Sequence, residues 1–197
     1  MRNILLSTML SIFVILVAPI ASSQDAASIL QRGVYLDQNC QIEDLDQDRE
    51  AWFAAITAAA EARQDGPLGM ILVLEVIANR VCDGRYGGRS AEAVTTARNQ
   101  FSPWRHDSGI RDDLVSLANH RPSKRPDLDR ATEQIFPIAK EILKGWRTGK
   151  LPYGAENPTL HFVNLSLACP RWARNGRPAF VHGGHTFYVG VDTQPSN

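Results

Sequence analysis

Residues 68–78 are apolar on nearly every side, and this segment constrains the fold more than any other. Pro67 is well placed at the first position of a helix and Asp83-Gly84 can end it, so we predict a helix from residue 67 to about residue 81. A helix that is hydrophobic all round has to be enclosed by other elements. The chain must therefore build its core around this segment, which only Glu75 interrupts.

The preceding segment, residues 49–63, is rich in alanine and other strong helix formers and follows aspartates that can cap its start. We predict a helix here with an apolar stripe formed by Trp52, Ile56 and Ala60. Gln64-Asp65-Gly66 breaks this helix before the apolar one begins.

Shorter helical and extended patterns follow along the chain. Further helices are predicted at residues 90–97, about 109–119 and 127–147, the last with a kink at Pro137. Short strands are predicted at residues 159–163 and 185–189, which carry aromatic and β-branched side chains. The expected fold class is α+β and mainly α, with a helical body and a small β element near the C-terminus.

Composition excludes several classes of protein. Of 197 residues, 44% are hydrophobic, and 21 basic side chains balance 21 acidic ones. A disordered chain would have few apolar residues and a large net charge, and a nucleic-acid-binding protein usually has a clear basic excess. The single basic loop, residues 121–125, is too short to indicate nucleic acid.

The N-terminus has the three parts of a secretory signal peptide. Met1-Arg2-Asn3 carries a positive charge, residues 4–20 are apolar, and Ala21-Ser22-Ser23 is a small-residue cleavage site. We therefore predict a signal peptide of residues 1–23, export to the periplasm or the cell exterior, and no stable membrane insertion once the signal is removed. The alternative is an uncleaved anchor helix, because about 17 apolar residues approach the shortest bilayer span.

The rest of the chain divides into a polar, acidic lead-in at residues 24–47, a catalytic domain at residues 48–192 and a tail at residues 193–197. Three cysteines, Cys40, Cys82 and Cys169, would meet oxidising conditions in an exported chain. We expect one disulfide and one unpaired thiol, with the pairing left open.

Glu61 is the main candidate for a catalytic residue. It lies in the last turn of the alanine-rich helix, where the helix dipole disfavours a negative charge. Small alanines around it would leave an open groove, in which a partly desolvated carboxylic acid has a raised pKa and can donate a proton near neutral pH. The alternative is an exposed glutamate paired with a nearby arginine.

An ordered set of segments resembles the cell wall hydrolase family typified by the spore-cortex-lytic enzyme SleB. The segments are Ala60-Glu61-Ala62-Arg63, Gly66, Gly69, residues 76–81, Gln100-Phe101-Ser102 with Trp104, residues 161–164, Pro170-Arg171-Trp172 and residues 185–188. The resemblance covers about residues 50 to 190 and depends on the order of these segments more than on any one of them.

The resemblance implies a lysozyme-like, lytic-transglycosylase-like domain that acts on the glycan strands of peptidoglycan. Glu61 would be the general acid that protonates the bond between N-acetylmuramic acid and N-acetylglucosamine. In a lytic transglycosylase the 6-hydroxyl of muramic acid is the nucleophile, so one glutamate suffices and no metal or cofactor is expected. A regulatory protein partner is not identified.

Glu75 departs from the family pattern, which usually has a small residue at this place. It could pair with Arg80 or Arg63, or it could be a second active-site carboxylate. The second interpretation would favour hydrolysis by water over transglycosylation.

Other polar and aromatic residues are candidates for sugar binding. Amides, imidazoles and phenols can hydrogen-bond sugar hydroxyl and acetamido groups, and aromatic rings can stack on pyranose faces. The polar candidates are Gln100, His161, Asn164, His185 and Tyr188, and the aromatic ones are Phe101, Trp104 and Trp172. Core packing is the alternative for each aromatic residue, and a structural role is the alternative for His185.

Two other functions remain open at this point. A zinc-dependent amidase or peptidase that cuts the stem peptides could use His182 and His185, although Gly183-Gly184 puts them in a loop and no HExxH motif occurs. A noncatalytic peptidoglycan-binding module would need no general acid.

Overall fold

The computed structural model describes residues 34–35, 46–147, 150–151, 159–189 and 191. The helices are α1 (Gln47–Ala62), α2 (Gly66–Asp83), α3 (Ala91–Thr96), α4 (Arg111–Ala118), α5 (Pro126–Arg147) and α6 (Arg171–Asn175). The strands are β1 (Val34–Tyr35), β2 (Lys150–Leu151), β3 (Thr159–Val163), β4 (Arg177–His182) and β5 (His185–Val189). The fold is therefore mainly α with a small antiparallel sheet near the C-terminus, which confirms the expected class.

Helix α2 is the central helix, as its sequence predicts. Its residues are buried without a break from Gly69 to Val81, and it packs against α1, α5 and β3. Pro67 occupies its first turn, and Gly84 ends it in the left-handed region at φ 76°, where the Gly84 N–H donates to Arg80 O at 3.0 Å. A left-handed residue at a helix C-terminus is usually glycine, because a Cβ is disfavoured there.

Helix α1 is buried more completely than an apolar stripe would require. Asp46 caps it, accepting hydrogen bonds from the N–H groups of Asp48 and Arg49, and ten of its residues are buried. Trp52 and Ala60 of the predicted stripe are only half-buried. The stripe prediction was too narrow because α5, α2, α3 and α4 surround α1, and its alanines allow these helices to approach closely.

The three-stranded sheet covers one side of α2. Its order is β3-β5-β4, antiparallel throughout, with Phe162 opposite Phe187 and His182 opposite His185. Leu72 and Val76 of α2 pack against Phe187 in a separate core cluster. The predicted bounds of β3 and β5 are confirmed, whereas β4 was not predicted, since it is an edge strand with mostly exposed side chains and a proline.

The remaining predictions on elements and termini have mixed outcomes. Helices α3, α4 and α5 lie where they were expected, and α5 continues through Pro137. The predicted signal peptide, most of the acidic lead-in, the tail and Cys40 lie outside the described residues. Cys82 is disulfide-bonded, and Cys169 is a free, exposed thiol. Within the described ranges, no helix combines the length and apolarity that crossing a bilayer requires.

Candidate active site

Glu61 lies in the last turn of α1, where its carboxyl group reaches the loop that carries Ser102. The backbone N–H of Ser102 donates to Glu61 Oε1 at 3.1 Å, and the Ser102 hydroxyl lies 3.4 Å from the same oxygen. Glu61 Oε2 receives no hydrogen bond from any described residue. One oxygen is therefore held in place, while the other is available to carry a proton.

Burial changes the ionisation of this carboxyl group. It raises the pKa of Glu61 to about 7, although the hydrogen bonds from Ser102 and the positive charge of Arg80 act in the opposite direction. Glu61 is half-buried, and no arginine among the described residues forms an ion pair with it. The alternative of an exposed, arginine-paired glutamate is therefore not what the structure contains.

Arg80 of α2 is buried beneath the site and fixes the loop that leads to Ser102. Its guanidinium group donates to Leu160 O at 2.8 Å and to Gln100 O at 3.2 Å, and it lies 4.9 Å from the centre of the Phe101 ring. Burial lowers the pKa of Arg80 to about 10, so the side chain stays cationic at neutral pH. Arg80 thus connects the helix, the sheet and the loop around Glu61.

Glu61 lies where two parts of an open cleft meet. One part, of about 700 Å³, lies towards β3 and α6, and the other, of about 640 Å³, lies towards the residues after α1. The residues that line both parts are Glu61, Ser102, Arg105, Asn164, Leu167 and His185. Such an opening on both sides of one carboxyl group suits a chain-like ligand better than a small enclosed one.

Five of the predicted sugar-binding residues line this cleft. They are Gln100, His161, Asn164, Trp172 and His185. The Trp172 ring lies 4.9 Å from the His161 ring. Burial and the charges of Arg80 and Arg85 lower the pKa of His161 to about 4, so its imidazole is neutral at physiological pH.

The structure does not bring Phe101, Trp104 and Tyr188 to the lining of the cleft. Phe101 is 1% exposed and Tyr188 is 2% exposed, and both belong to core clusters. Trp104 stacks on Phe53 at 5.8 Å and donates from Nε1 to the Thr57 hydroxyl at 2.9 Å. Phe101 and Trp104 thus have the packing role that was the alternative for the aromatic candidates, and Tyr188, predicted as a polar sugar contact, also lies in the core.

Glu75 does not form the ion pair that was one interpretation of its sequence position. It is 4% exposed, and its Oε1 is buried without a hydrogen-bond partner among the described residues. The expected ion pair is not formed, because Arg80 donates to backbone carbonyls and to Gln100, and Arg63 pairs with Asp127 at 2.8 Å. Burial alone raises the pKa of Glu75 to about 8, and Glu75 is not among the residues that line the cleft.

Asp65 was not predicted as a site residue. It ends the single 3₁₀ turn between α1 and α2, four residues after Glu61, and its Oδ2 lies 2.6 Å from His185 Nδ1. Ser102 and Arg80 were likewise not assigned, although both belong to segments that resemble the family. The only sequence signal for Asp65 was its position in a helix break. Many residues without a functional role occupy such positions, so the signal did not indicate a site.

The histidines of the β4–β5 turn, which the metalloenzyme hypothesis used, are engaged with Asp65. His182 Nε2 lies 3.2 Å from Asp65 O, and His185 contacts the Asp65 carboxylate. In the part of the chain that the structure describes, no group of three or more His, Cys, Asp or Glu side chains is arranged to hold a metal ion.

Comparison with known proteins gives one family. The family model described as Cell Wall Hydrolase matches residues 64–188, which is more than half of the chain. Neither a curated protein nor a solved structure matches the chain significantly. The matched segment contains the cleft-lining residues from Arg80 to His185 and begins three residues after Glu61.

Proposed function

Because the chain belongs to the cell wall hydrolase family, we propose that it cleaves the glycan strands of peptidoglycan with Glu61 as the general acid. Family membership supports a hydrolase of peptidoglycan. The finer assignment to the glycan is supported chiefly by one observation: a half-buried carboxyl group with a pKa of about 7 at the junction of a two-part cleft.

The acid step follows from the environment of Glu61. A general acid works best when its pKa lies near the working pH, because it must be protonated and still release its proton readily. Ser102 holds Oε1, so the proton of Glu61 resides on Oε2 and can pass to the oxygen of a glycosidic bond in the cleft. Protonation of this oxygen lowers the barrier to formation of the oxocarbenium-like transition state.

We propose that a hydroxyl group of the substrate, the 6-hydroxyl of N-acetylmuramic acid, is the nucleophile. Two-carboxylate glycosidases hold their acidic groups about 5 to 9.5 Å apart across the scissile bond. Glu75 does not line the cleft and is buried beside apolar α2 residues. We therefore do not propose it as the second carboxylate. The products would be a 1,6-anhydromuramic acid end and a free 4-hydroxyl on the leaving sugar.

Four residues supply the sugar contacts in this proposal. Gln100, Asn164 and Trp172 line the cleft. Amide groups can hydrogen-bond sugar hydroxyls, and an indole ring can stack on a pyranose face. His161, neutral at physiological pH, can exchange a hydrogen bond with a hydroxyl or acetamido group.

We also propose that the protein is exported before it acts, because peptidoglycan lies outside the cytoplasmic membrane and residues 1–23 have the pattern of a signal peptide. The mass of the mature protein is expected to correspond to a chain that begins near Gln24. An intact N-terminus in the membrane fraction would favour the anchor helix instead.

Replacing Glu61 with glutamine tests the general acid. Glu61→Gln keeps the shape and the acceptor oxygen for Ser102 but removes the transferable proton, so we expect the rate of glycan cleavage to fall about 10²- to 10⁴-fold. The measurement is release of soluble muropeptides from purified sacculi. Glu75→Gln is the matched control, the same change at another buried glutamate, and should cleave at a rate within about twofold of wild type. Equal rates for wild type and Glu61→Gln would contradict the assignment.

Product analysis tests the nucleophile. Mass spectrometry of the released muropeptides, before any reduction, should show fragments lighter by one water than hydrolysis products. Reducing-end sugars alone would show that water attacks and would leave the general acid in place. Free stem peptides would overturn glycan cleavage in favour of an amidase or peptidase.

A further inference from the structure

Asp65 and His185 form a carboxylate–imidazole pair inside the same cleft as Glu61. His185 Nδ1 lies 2.6 Å from Asp65 Oδ2, and both side chains are 13% exposed. His185 lines both parts of the cleft, as Glu61 does. A carboxylate can only accept a hydrogen bond, so His185 donates from Nδ1, and in the neutral imidazole Nε2 carries the lone pair.

The carboxylate of this pair is held from several directions. Its other oxygen, Oδ1, accepts a hydrogen bond from the Gly184 N–H at 3.0 Å. Partial burial acts to raise the pKa of Asp65, but hydrogen bonds from Gly184 and His185 and the charges of His185 and His182 lower it overall. Asp65 is therefore ionised at neutral pH and fixes both the tautomer and the orientation of the imidazole.

The β4–β5 turn has the backbone that this contact requires. Gly183 has φ +54°, and a Cβ added to it would lie 2.2 Å from Asp65 Cγ. A Cβ on Gly184 would lie 2.7 Å from the side-chain nitrogen of Asn164. The two glycines thus allow the turn to pack closely against Asp65.

We propose that His185, oriented by Asp65, is a second catalytic residue, whose Nε2 accepts the proton of the hydroxyl group that attacks the anomeric carbon. This inference rests on the proposed glycan cleavage and extends it. Asp65 is a positioning residue, because it acts through His185. The arrangement separates the acid and the base, which a single glutamate would otherwise have to combine.

The proposed step is balanced in protons and electrons. Glu61 gives its proton to the bridging oxygen as the bond from muramic acid C1 to that oxygen breaks, and the electron pair of the bond stays on the oxygen. The 6-hydroxyl oxygen bonds to C1 and its proton passes to His185 Nε2. Transfer of a proton through water from the imidazolium to the Glu61 carboxylate then restores the starting state.

The pH–rate profile distinguishes this proposal from a purely structural pair. Glu61 must be protonated, so the rate falls above about pH 7. A general base must be unprotonated to accept a proton, so the proposal also requires the rate to fall at low pH and the profile to be bell-shaped. The charged or titratable groups around the imidazole are Asp65, which contacts it, and His182 on the paired strand. Glu61 and Arg105 line both parts of the cleft with it, and Arg80 acts on Glu61.

The experiment compares wild type with His185→Gln on soluble glycan strands from peptidoglycan. We expect kcat to fall about 10²-fold or more, KM to change less than about threefold, and the low-pH limb to disappear while the high-pH limb remains. Asp65→Asn should lower kcat about tenfold or more, because Gly184 and His185 bond different carboxylate oxygens and the amide replaces one of these oxygens with an NH₂ donor. His106→Gln is the matched control, the same change at an exposed histidine that lines neither part of the cleft, and should keep the rate and both limbs.

A separate variant distinguishes loss of the imidazole from loss of folding. His185→Ala should recover part of its rate when free imidazole is added, whereas a misfolded protein would not respond. Wild-type kcat and both limbs in a folded His185→Gln would overturn the proposal. If Glu61→Gln is inactive and wild type still releases muropeptides, that result would leave the proposed glycan cleavage intact. Release of stem peptides by wild type would instead contradict glycan cleavage itself.

Discussion

At the scale of single residues, two glutamates with raised pKa values differ in their access to the cleft. Burial raises the pKa of Glu61 to about 7 and that of Glu75 to about 8. Glu61 opens onto the cleft and has one oxygen held by Ser102, whereas Glu75 Oε1 is buried without a hydrogen-bond partner among the described residues. Access to the cleft, rather than the shifted pKa, therefore distinguishes Glu61 from Glu75.

Glu75→Gln is expected to reduce the pH dependence of stability. The folded pKa of Glu75 is raised above the ordinary value of 4.5, so the native state binds the extra proton and stability falls as pH rises between about 4.5 and 8. The amide cannot ionise, so we expect the variant to match wild type at pH 5 and to exceed it by about 2 kcal/mol or more at pH 9. Denaturant unfolding at the two pH values measures the difference.

The comparison with wild type removes the contribution of Glu61, which is present in both proteins. A stability difference that stays constant from pH 5 to pH 9 would mean that Glu75 ionises normally in the folded protein. A loss of cleavage rate at unchanged stability would instead indicate a second active-site carboxylate.

At the scale of elements, a buried side chain of α1 caps the N-terminus of α3. Glu50 of α1 is 7% exposed, and its Oε2 accepts hydrogen bonds from the N–H groups of Ala91 and Glu92 at the start of α3. Ser90 completes the cap by accepting from the Ala93 N–H at 3.0 Å. The first N–H groups of a helix have no partner within it, so Glu50 satisfies two groups that α3 cannot satisfy alone.

Glu50→Ala should therefore destabilise the domain by about 2 to 3 kcal/mol, because it leaves two backbone donors without an acceptor in a buried place. Glu50→Gln retains one acceptor oxygen and should cost clearly less. Urea unfolding monitored by tryptophan fluorescence measures both variants. If the alanine and glutamine variants lose the same free energy of unfolding, Glu50 would stabilise the domain through packing of its side chain rather than through capping.

At the scale of the whole molecule, the cleft exists because the helical body and the sheet meet along α2. Leu72 and Val76 hold Phe187 against the helix, and Arg80 donates to Leu160 O of β3. Asp65 ties the far end of the sheet to the junction of α1 and α2. Glu61 and His185, which are distant in sequence, line the same cleft as a result.

The disulfide at Cys82 should increase the free energy of unfolding of the domain. Cys82 lies near the end of α2, and removing a native disulfide from a small exported domain typically costs about 2 to 5 kcal/mol. Cys82→Ser should therefore lower the melting temperature, and Cys169→Ser, which changes a free and exposed thiol, should leave it unchanged. Equal melting temperatures for the two variants would show that the disulfide contributes little.

The sequence by itself determined the order and most bounds of the main helices and of β3 and β5. Their patterns are local: all-round apolarity in α2, alanine-rich helix formers in α1, and glycine or proline at the helix ends. The sequence also singles out Glu61 as a candidate, because a carboxylate at the C-terminal end of a helix is unfavourable and the surrounding segment resembles a known family.

Only the tertiary structure decided which polar residues share the cleft with Glu61. Phe101, Trp104 and Tyr188 fill the core, because burial of a ring depends on elements that lie far away in sequence. Asp65 meets His185 across 120 positions, a distance over which no periodicity carries information. Local sequence patterns thus specify the elements and a single candidate acid. The residues around that candidate are brought together by helix and sheet packing, which a local sequence pattern does not contain.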